Sequence, residues 1–403
     1  MKKMILSMLI IGWVSFGATA QELKLPYYSA QPPADDFFSS YWCEELSSGQ
    51  PTKVTVPHEL DVRSCDISSW DLTQYTAQEL ADVLTFDSKT KFPPRTKLPK
   101  GFSPKQILQN GKNPGLGVHN LHAQGVTGRG VPLAILDKKL LLGHVEYANN
   151  VVYYEDLDIS SGDPFADMHA SALASIAVGQ SIGIAPGADV FAFAVSFQNT
   201  ADKKHFDALP IAAALRRVAE LNTQLVPERK IRVVAISRGF DPDDLGAEEF
   251  NKTQQDLEKE GVAVFTTNDV STLSRNHSLD TPEDVANYCR PAYWLRNVSF
   301  LSADMRDVVV PTDFRTTASP TGIKDYVHYA NGGLSWAVPY VAGLYALGMQ
   351  VYPPLTKEIF VKVAHDTATV RNCEYKGEKF SMPLINPVRL INYLKSLNRS
   401  AQK

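Results

Sequence analysis

The sequence predicts an α/β fold, a doubly wound and mainly parallel sheet with helices on both faces, preceded by a small N-terminal segment. From Gly111 onward, short apolar runs alternate with longer segments of helical character. The apolar runs are continuous, which is typical of strands buried on both faces. Strands that alternate with helices of this length indicate a parallel sheet with crossover helices.

The elements can be placed in chain order. We expect a helix at 77–84 and an extended linker at 92–101, before the alternating region. Within that region the pattern predicts strands at 131–136, 189–195, 231–236 and 262–266, and helices at 170–178, 206–221 and 245–260. Ligands of such sheets bind at the carboxyl ends of the strands, so the residues that follow each strand are the candidates for function.

The N-terminus predicts a secretory signal peptide at residues 1–20. A basic start with Lys2 and Lys3 is followed by an apolar run at 4–16 and by the cleavage-type sequence Ala18-Thr19-Ala20. The run is too short to span a membrane. We therefore expect a secreted or periplasmic protein with no membrane span after cleavage. Residues 21–110 are expected to form a pro-segment or accessory region with a linker, and residues 111–397 the main domain.

Charge and cysteine content narrow the function classes. The net charge of −4 becomes −4 − 2 = −6 when Lys2 and Lys3 are removed, and a mildly acidic chain without a basic run does not predict nucleic-acid binding. Export permits disulfides. Spacing favours the pairs Cys43–Cys65 and Cys289–Cys373, although four cysteines allow three connectivities and free buried thiols are the alternative.

Polar residues follow the predicted strands. Asp137 ends the first, Ser237-Arg238-Gly239 follows the strand at 231–236, and Asn268 follows the strand at 262–266. His169 opens the helix at 170–178. Ser335 opens a second apolar helix, where the positive helix end would stabilise a developing negative charge.

This combination of residue types suits nucleophilic catalysis. A serine needs an adjacent base, and a histidine can accept its proton near neutral pH. An aspartate on the second ring nitrogen fixes the tautomer. An asparagine amide can donate a hydrogen bond to the oxyanion that forms.

NPGLG at 113–117 and RTTASPTG at 315–322 resemble segments of a divergent bacterial exported branch of the subtilisin-like serine peptidases, and four further motifs resemble those of the family as a whole. These four are GVTGRGVPLAILD at 125–137, HASALASIAVG at 169–179, GIAPGA at 183–188 and GLSWAVP at 333–339. The chain order of aspartate, histidine and serine is also that of the family. The resemblance covers roughly residues 112–395.

The resemblance implies a secreted serine endopeptidase with a subtilisin-like fold. Ser335 would be the nucleophile, His169 the general base, Asp137 the orienting acid and Asn268 the oxyanion donor. Ser237, Arg238 and Gly239 would pair with the substrate main chain, with Arg238 favouring an acidic substrate residue. The chemistry needs no cofactor or metal, and structural calcium is left open. The expected partner is a protein or peptide substrate, and the expected state is a monomer.

Several residues depart from the family pattern. Lys138 and Lys139 follow the aspartate, Ala170 and Ala172 replace a glycine and a second histidine, and Leu334 replaces a threonine. No catalytic group is lost, but these departures keep open a catalytically impaired binding module on the same fold.

Two other enzyme classes are discarded. A dinucleotide-binding dehydrogenase needs its glycines after the first strand, whereas the glycines at 125–130 precede it. An α/β-hydrolase needs a glycine at residue 337, which is alanine. His144 and Glu146 lack a third ligand at useful spacing and are expected to be surface residues, and Asp167 is expected to be a loop residue.

Overall fold

The computed structural model describes residues 23–35, 59–158, 162–196, 206–291 and 307–401. The predicted signal peptide and Cys43 lie outside these ranges. The strands are β1 (Tyr27–Tyr28), β2 (Leu60–Asp61), β3 (Leu84–Asp87), β4 (Leu133–Asp137), β5 (Val151–Asp156), β6 (Val190–Ala194), β7 (Val233–Ala235), β8 (Ala263–Phe265), β9 (Val270–Ser274), β10 (Arg290–Pro291), β11 (Val308–Pro311), β12 (Arg315–Ala318), β13 (Tyr326–Tyr329), β14 (Thr369–Tyr375) and β15 (Glu378–Leu384).

The α-helices surround these strands. They are α1 (Ala77–Val83), α2 (Pro104–Asn110), α3 (Val118–Ala123), α4 (Met168–Val178), α5 (Leu209–Gln224), α6 (Ala247–Lys259), α7 (Ala337–Val351), α8 (Lys357–Asp366) and α9 (Pro387–Ala401). Among the described residues, none of the helices is both long enough and apolar enough to cross a membrane.

The central sheet has six strands in the order β1-β5-β6-β4-β7-β8, all paired in parallel. Side chains alternate between its two faces. Leu133 and Ile135 of β4 join the apolar core beneath α4 and α7, whereas Ala134 and Leu136 join the core beneath α5 and α6. The predicted doubly wound α/β class is confirmed, because helices cover both faces of a parallel sheet.

The predicted strands and helices of this sheet are all present, with ends shifted by a residue or a few. Strand β5 was not predicted. It follows the buried Tyr147 and joins β6 in parallel, with an irregular register between Val151 and Tyr153. Its pairing places Glu155 and Asp156 at the same sheet edge as Asp137.

The N-terminal segment at 59–110 shares a sheet with the main domain. β3 pairs antiparallel with β13, and the sheet order is β12-β13-β3-β2. Its apolar side chains form a separate cluster that includes Leu80, Phe86 and Phe102 from the segment and Phe314 from the main domain. The predicted linker contains a short 3₁₀ turn at Arg95–Lys97. The role of residues 21–110 as a pro-segment or accessory region stays a prediction.

A third sheet, in the order β10-β9-β11-β15-β14, lies beside the carboxyl end of the chain. A disulfide between Cys289 and Cys373, with Cα atoms 5.1 Å apart, joins β14 to the residue before β10. The predicted Cys289–Cys373 pair is therefore present. Cys65 is also disulfide-bonded, and its predicted partner Cys43 falls outside the described residues.

Candidate active site

Asp137 and His169 form a hydrogen-bonded pair at the carboxyl edge of the central sheet. Asp137 is the last residue of β4 and is 1% exposed. His169 lies in the first turn of α4, whose N-cap Asp167 accepts a hydrogen bond from the His169 backbone N–H at 2.7 Å. The His169 Nδ1 atom is 2.8 Å from Asp137 Oδ1 and 2.9 Å from Oδ2. This contact orients the ring and leaves Nε2 for another partner.

The charges around His169 favour its protonated form. Burial of the ring lowers the pKa of His169, but the charge and the hydrogen bond of Asp137 raise it by more. The charge of Asp167 also raises this pKa, and the charge of Lys138 lowers it. The resulting pKa lies above the usual value for histidine. Burial also raises the pKa of Asp167. The ring is thus a stronger base than an exposed histidine, and its imidazolium form is stabilised by a fixed carboxylate.

Ser335 lies in a 3₁₀ turn at Leu334–Trp336, directly before α7, rather than inside the helix. Its hydroxyl makes a long contact of 3.4 Å with Ser237 O, and the Ser237 hydroxyl donates to Ser335 O at 2.8 Å. No hydrogen bond joins Ser335 to His169, although both residues are described. This contact has to form before His169 can accept the Ser335 proton, and catalytic hydrogen bonds are often long or absent in unliganded sites.

Trp336 is the aromatic neighbour of His169, and the sequence analysis did not predict this role. The centroid of the Trp336 ring lies 5.4 Å from that of the His169 ring and 5.3 Å from that of the Tyr329 ring. Trp336 is 4% exposed and Tyr329 is 5% exposed. An indole next to the serine and against the imidazole therefore forms one wall of the site.

Asn268 stands at the same sheet edge, in a 3₁₀ turn at Thr267–Asp269 that follows β8. A capping box fixes this turn: Thr266 Oγ1 accepts from Asn268 N at 3.2 Å, and Asp269 Oδ2 accepts from Thr266 N at 2.8 Å. The Asn268 amide lies directly against Gly239, where a Cβ atom would overlap Asn268 Oδ1. Glycine at 239 thus makes room for the amide beside the segment that carries Ser237.

Arg238 is held away from open solvent by an aromatic contact. Its guanidinium carbon lies 3.1 Å from the centroid of the Phe206 ring. Burial lowers the pKa of Arg238 more than the nearby Asp241 and Asp244 raise it. The preference of this residue for an acidic substrate side chain stays a prediction.

Known proteins resemble this chain in sequence and in fold. No family model matches the chain. The subtilisin-like protease PopC of Myxococcus xanthus (strain DK1622) is 26% identical over 281 residues, which span 60% of this chain and 56% of that protein. The chain resembles the subtilisin-like proteases. The matched region spans little more than half the length of PopC.

Two solved structures also match part of the chain. The prenylagaramide maturation protease PagA covers 70% of this chain and 99% of its own, with 16% identity and a TM-score of 0.47. The PatG macrocyclase domain covers 70% of this chain and 96% of its own, with 14% identity and a TM-score of 0.49.

His144 and Glu146 are buried, so the prediction that they are surface residues is wrong. His144 Nε2 donates to Asp325 O at 2.9 Å. Glu146 accepts hydrogen bonds from Ser181 Oγ at 2.6 Å and from Tyr326 OH at 2.8 Å. These partners explain how a carboxylate can be 3% exposed. Within the described ranges, no group of three or more candidate ligands could hold a metal ion.

Proposed function

We propose that this chain is an exported serine endopeptidase that works through Asp137, His169 and Ser335. The observation that carries the proposal is the Nδ1 contact of His169 with both oxygens of a buried carboxylate, at 2.8 and 2.9 Å. That contact fixes the tautomer with Nε2 free to accept a proton. The Ser335 turn lies at the same edge, because its neighbour Trp336 packs on the His169 ring.

The chemical steps follow from these positions. After the Ser335 side chain rotates, His169 Nε2 takes the hydroxyl proton as Oγ attacks the scissile carbonyl carbon. The tetrahedral intermediate then collapses, and His169 gives the proton to the leaving amine nitrogen. The acyl-enzyme is hydrolysed by a water molecule that His169 deprotonates in the same way, which releases the acid and returns the proton to Ser335.

Two unpaired donors support an oxyanion site. Among the described residues, neither the Asn268 side-chain amide nor the Ser335 backbone N–H donates to any protein group. Asn268 is exposed and Ser335 is half-buried, so both donors are accessible to a charge that appears only during the reaction. Asn268 and the Ser335 N–H are therefore proposed to bind the oxyanion.

A free stretch of backbone supports peptide binding. Beyond β7, the main-chain groups of Arg238 and Gly239 make no hydrogen bonds with other described residues. An extended peptide can pair with such an edge as an additional strand. Ser237, Arg238 and Gly239 are proposed to bind the substrate main chain in this way, with a protein or peptide as the substrate and a monomer as the working form.

The test is a serine substitution in the full-length secreted protein. Ser335→Ala is expected to abolish casein cleavage and labelling by a fluorophosphonate probe, because the nucleophile is lost. Ser68→Ala, which changes an exposed serine of the N-terminal segment, is the matched control and should retain both. If folded wild-type protein neither labels nor cleaves, the alternative of a catalytically impaired binding module replaces this proposal.

A further inference from the structure

Two aromatic rings, those of Trp336 and Tyr329, connect the proposed catalytic histidine to the interior of the molecule. The Trp336 ring lies between His169, with ring centroids 5.4 Å apart, and Tyr329, with centroids 5.3 Å apart. The indole Nε1 is buried and has no hydrogen-bond partner among the described residues. Packing against its two neighbours, and not a hydrogen bond, therefore sets the position of the Trp336 ring.

The N-terminal segment holds the far end of this row of rings. Arg63 Nη1 donates to Tyr329 OH at 3.2 Å, and the guanidinium carbon lies 5.4 Å from the centroid of the Tyr329 ring. The opposite side of the guanidinium is bound by Asp61, with Nε at 2.9 and 3.0 Å from the two carboxylate oxygens and Nη2 at 2.6 Å. The two-pronged contact fixes the guanidinium against Tyr329.

The turn that carries Arg63 is itself tightly held. Ser64 has a φ of 58°, a left-handed conformation that residues other than glycine adopt rarely. Its backbone N–H donates to Asp87 Oδ1 at 2.8 Å and its hydroxyl to Asp87 Oδ2 at 2.5 Å. Backbone in sparsely populated regions persists where surrounding contacts over-determine it. Here those contacts come from β3.

β3 lies beside the strand that precedes Ser335 in the chain. It pairs with β13, with His328 opposite Phe86, and Thr85 Oγ1 accepts from Ala330 N at 3.1 Å. The cluster that contains Val62, Phe86 and Phe102 is buried at this junction. Removal of the segment would expose this cluster, open the edge of β13 and take Arg63 away from Tyr329.

We propose that residues 59–103 are a permanent part of the active peptidase, in which Arg63 braces Tyr329 and Trp336 so that the indole positions the imidazole of His169. The inference rests on the proposed function, because it assigns Trp336 and Arg63 as positioning residues for that catalytic base. The indole face also attracts the imidazolium that forms during the reaction. The charged groups that act on the His169 ring are Asp137 and Lys138 at the end of β4 and Asp167 at the N-cap of α4.

The first test compares two substitutions of the indole in the full-length protein. Trp336→Leu removes the ring and is expected to lower kcat by about two- to thirtyfold with little change in KM, the range that loss of a cation–π contact gives. It should also lower the pKa of His169, so the acidic limb of the pH profile moves to lower pH. Trp336→Phe keeps an aromatic face and should recover most of both effects.

The second test asks whether the N-terminal segment acts through the same ring. Arg63→Met is expected to shift the pKa of His169 in the same direction and to lower kcat. Lys91→Met is the matched control, because it breaks the exposed Lys91–Asp66 ion pair of 3.1 Å in the same segment. All variants are assayed well below their melting temperatures, and the pKa of His169 is read by NMR of ¹³C-labelled histidine, which needs no activity.

The outcomes separate this inference from the proposed function. An active, folded enzyme in which Trp336→Leu and Arg63→Met leave both the pKa of His169 and the pH profile unchanged overturns the brace. Active protein whose mass shows that residues 59–103 have been removed overturns it as well. A pKa of His169 that responds to Arg63→Met, in a protein without hydrolytic activity, supports the brace and refutes the peptidase proposal.

Discussion

Asp137→Asn isolates the electrostatic part of the proposed catalytic site. The substitution keeps the size of the side chain but removes a charge that is 1% exposed. It also replaces one of the two oxygens that contact His169 Nδ1 by an NH₂ group. The imidazole then loses the partner that selects its tautomer and stabilises its protonated form.

The expected magnitude follows from this geometry. Two unit charges about 4 Å apart interact by about 4 kcal/mol at an effective dielectric constant of about 20, which corresponds to roughly 10³-fold in rate. The His169 side chain is 25% exposed, so water screens part of this interaction. Tautomer loss acts in addition and brings the expected fall in kcat to about 10³–10⁴-fold.

The assay is hydrolysis of a fluorogenic peptide from pH 5 to 10, with Asp167→Asn as the control. Asp167 also lies near the ring and also carries a negative charge, but asparagine serves equally well as an N-cap. The control should therefore retain kcat within about tenfold. If Asp137→Asn falls no further than Asp167→Asn, His169 is not oriented by Asp137 and the proposed triad is refuted.

Three further predictions concern the oxyanion site, pH and the disulfide. Asn268→Ala should lower kcat by about 10²–10³-fold with little change in KM. Gly239→Ala should have the same effect, because its methyl group would displace the Asn268 amide. Equal kcat in the wild type and both variants refutes the role of Asn268. Because the pKa of His169 is raised in the folded state, its contribution to the free energy of unfolding is complete below pH about 6.5 and is lost as the pH rises through the folded value. Urea unfolding of the wild type and of His169→Gln should thus differ more at pH 5 than at pH 9, and a constant difference refutes the shift. Replacing both Cys289 and Cys373 by serine opens a link across 84 residues and should lower the free energy of unfolding by about 2–5 kcal/mol, whereas an unchanged urea midpoint contradicts a structural role.

The central sheet and its edge residues were predictable because their signals are local. A continuous apolar run such as residues 131–136 is typical of a strand buried on both faces of a parallel sheet. The residue that follows such a strand lies at the carboxyl edge of the sheet, where ligands bind. Asp137 and His169 needed only this rule and the order of motifs. Asn268 follows the strand β8 in the same way, and the capping box of its turn and the space left by Gly239 hold it at the same edge.

What the sequence did not reveal depends on partners far along the chain. β3 pairs with β13, which lies some 240 positions further along the chain. No local pattern in residues 84–87 indicates which strand they pair with. Glu146 was expected at the surface because no third metal ligand lies at useful spacing, whereas the hydroxyl groups that bind it come from the distant Ser181 and Tyr326. The contact of Trp336 with Tyr329, and that of Tyr329 with Arg63, likewise join residues that are distant in the sequence.

Several departures from the subtilisin-like pattern have structural roles that leave the proposed catalytic residues in place. Lys139 follows Asp137, and its Nζ lies 3.3 Å from Asp156 and donates to Asp163 O at 2.7 Å. The backbone carbonyl of Lys139 accepts from Asp167 N at 2.8 Å, so this turn anchors the N-cap of the helix that carries His169.

Ala170 and Ala172 are almost fully buried in the core beneath α7, where alanine favours the helix more than glycine does. The unusual residues thus support the orientation of His169. The alternative of an impaired enzyme therefore finds no support in these departures, and what separates it from the proposed peptidase is whether Ser335 forms a hydrogen bond with His169 when a substrate is bound.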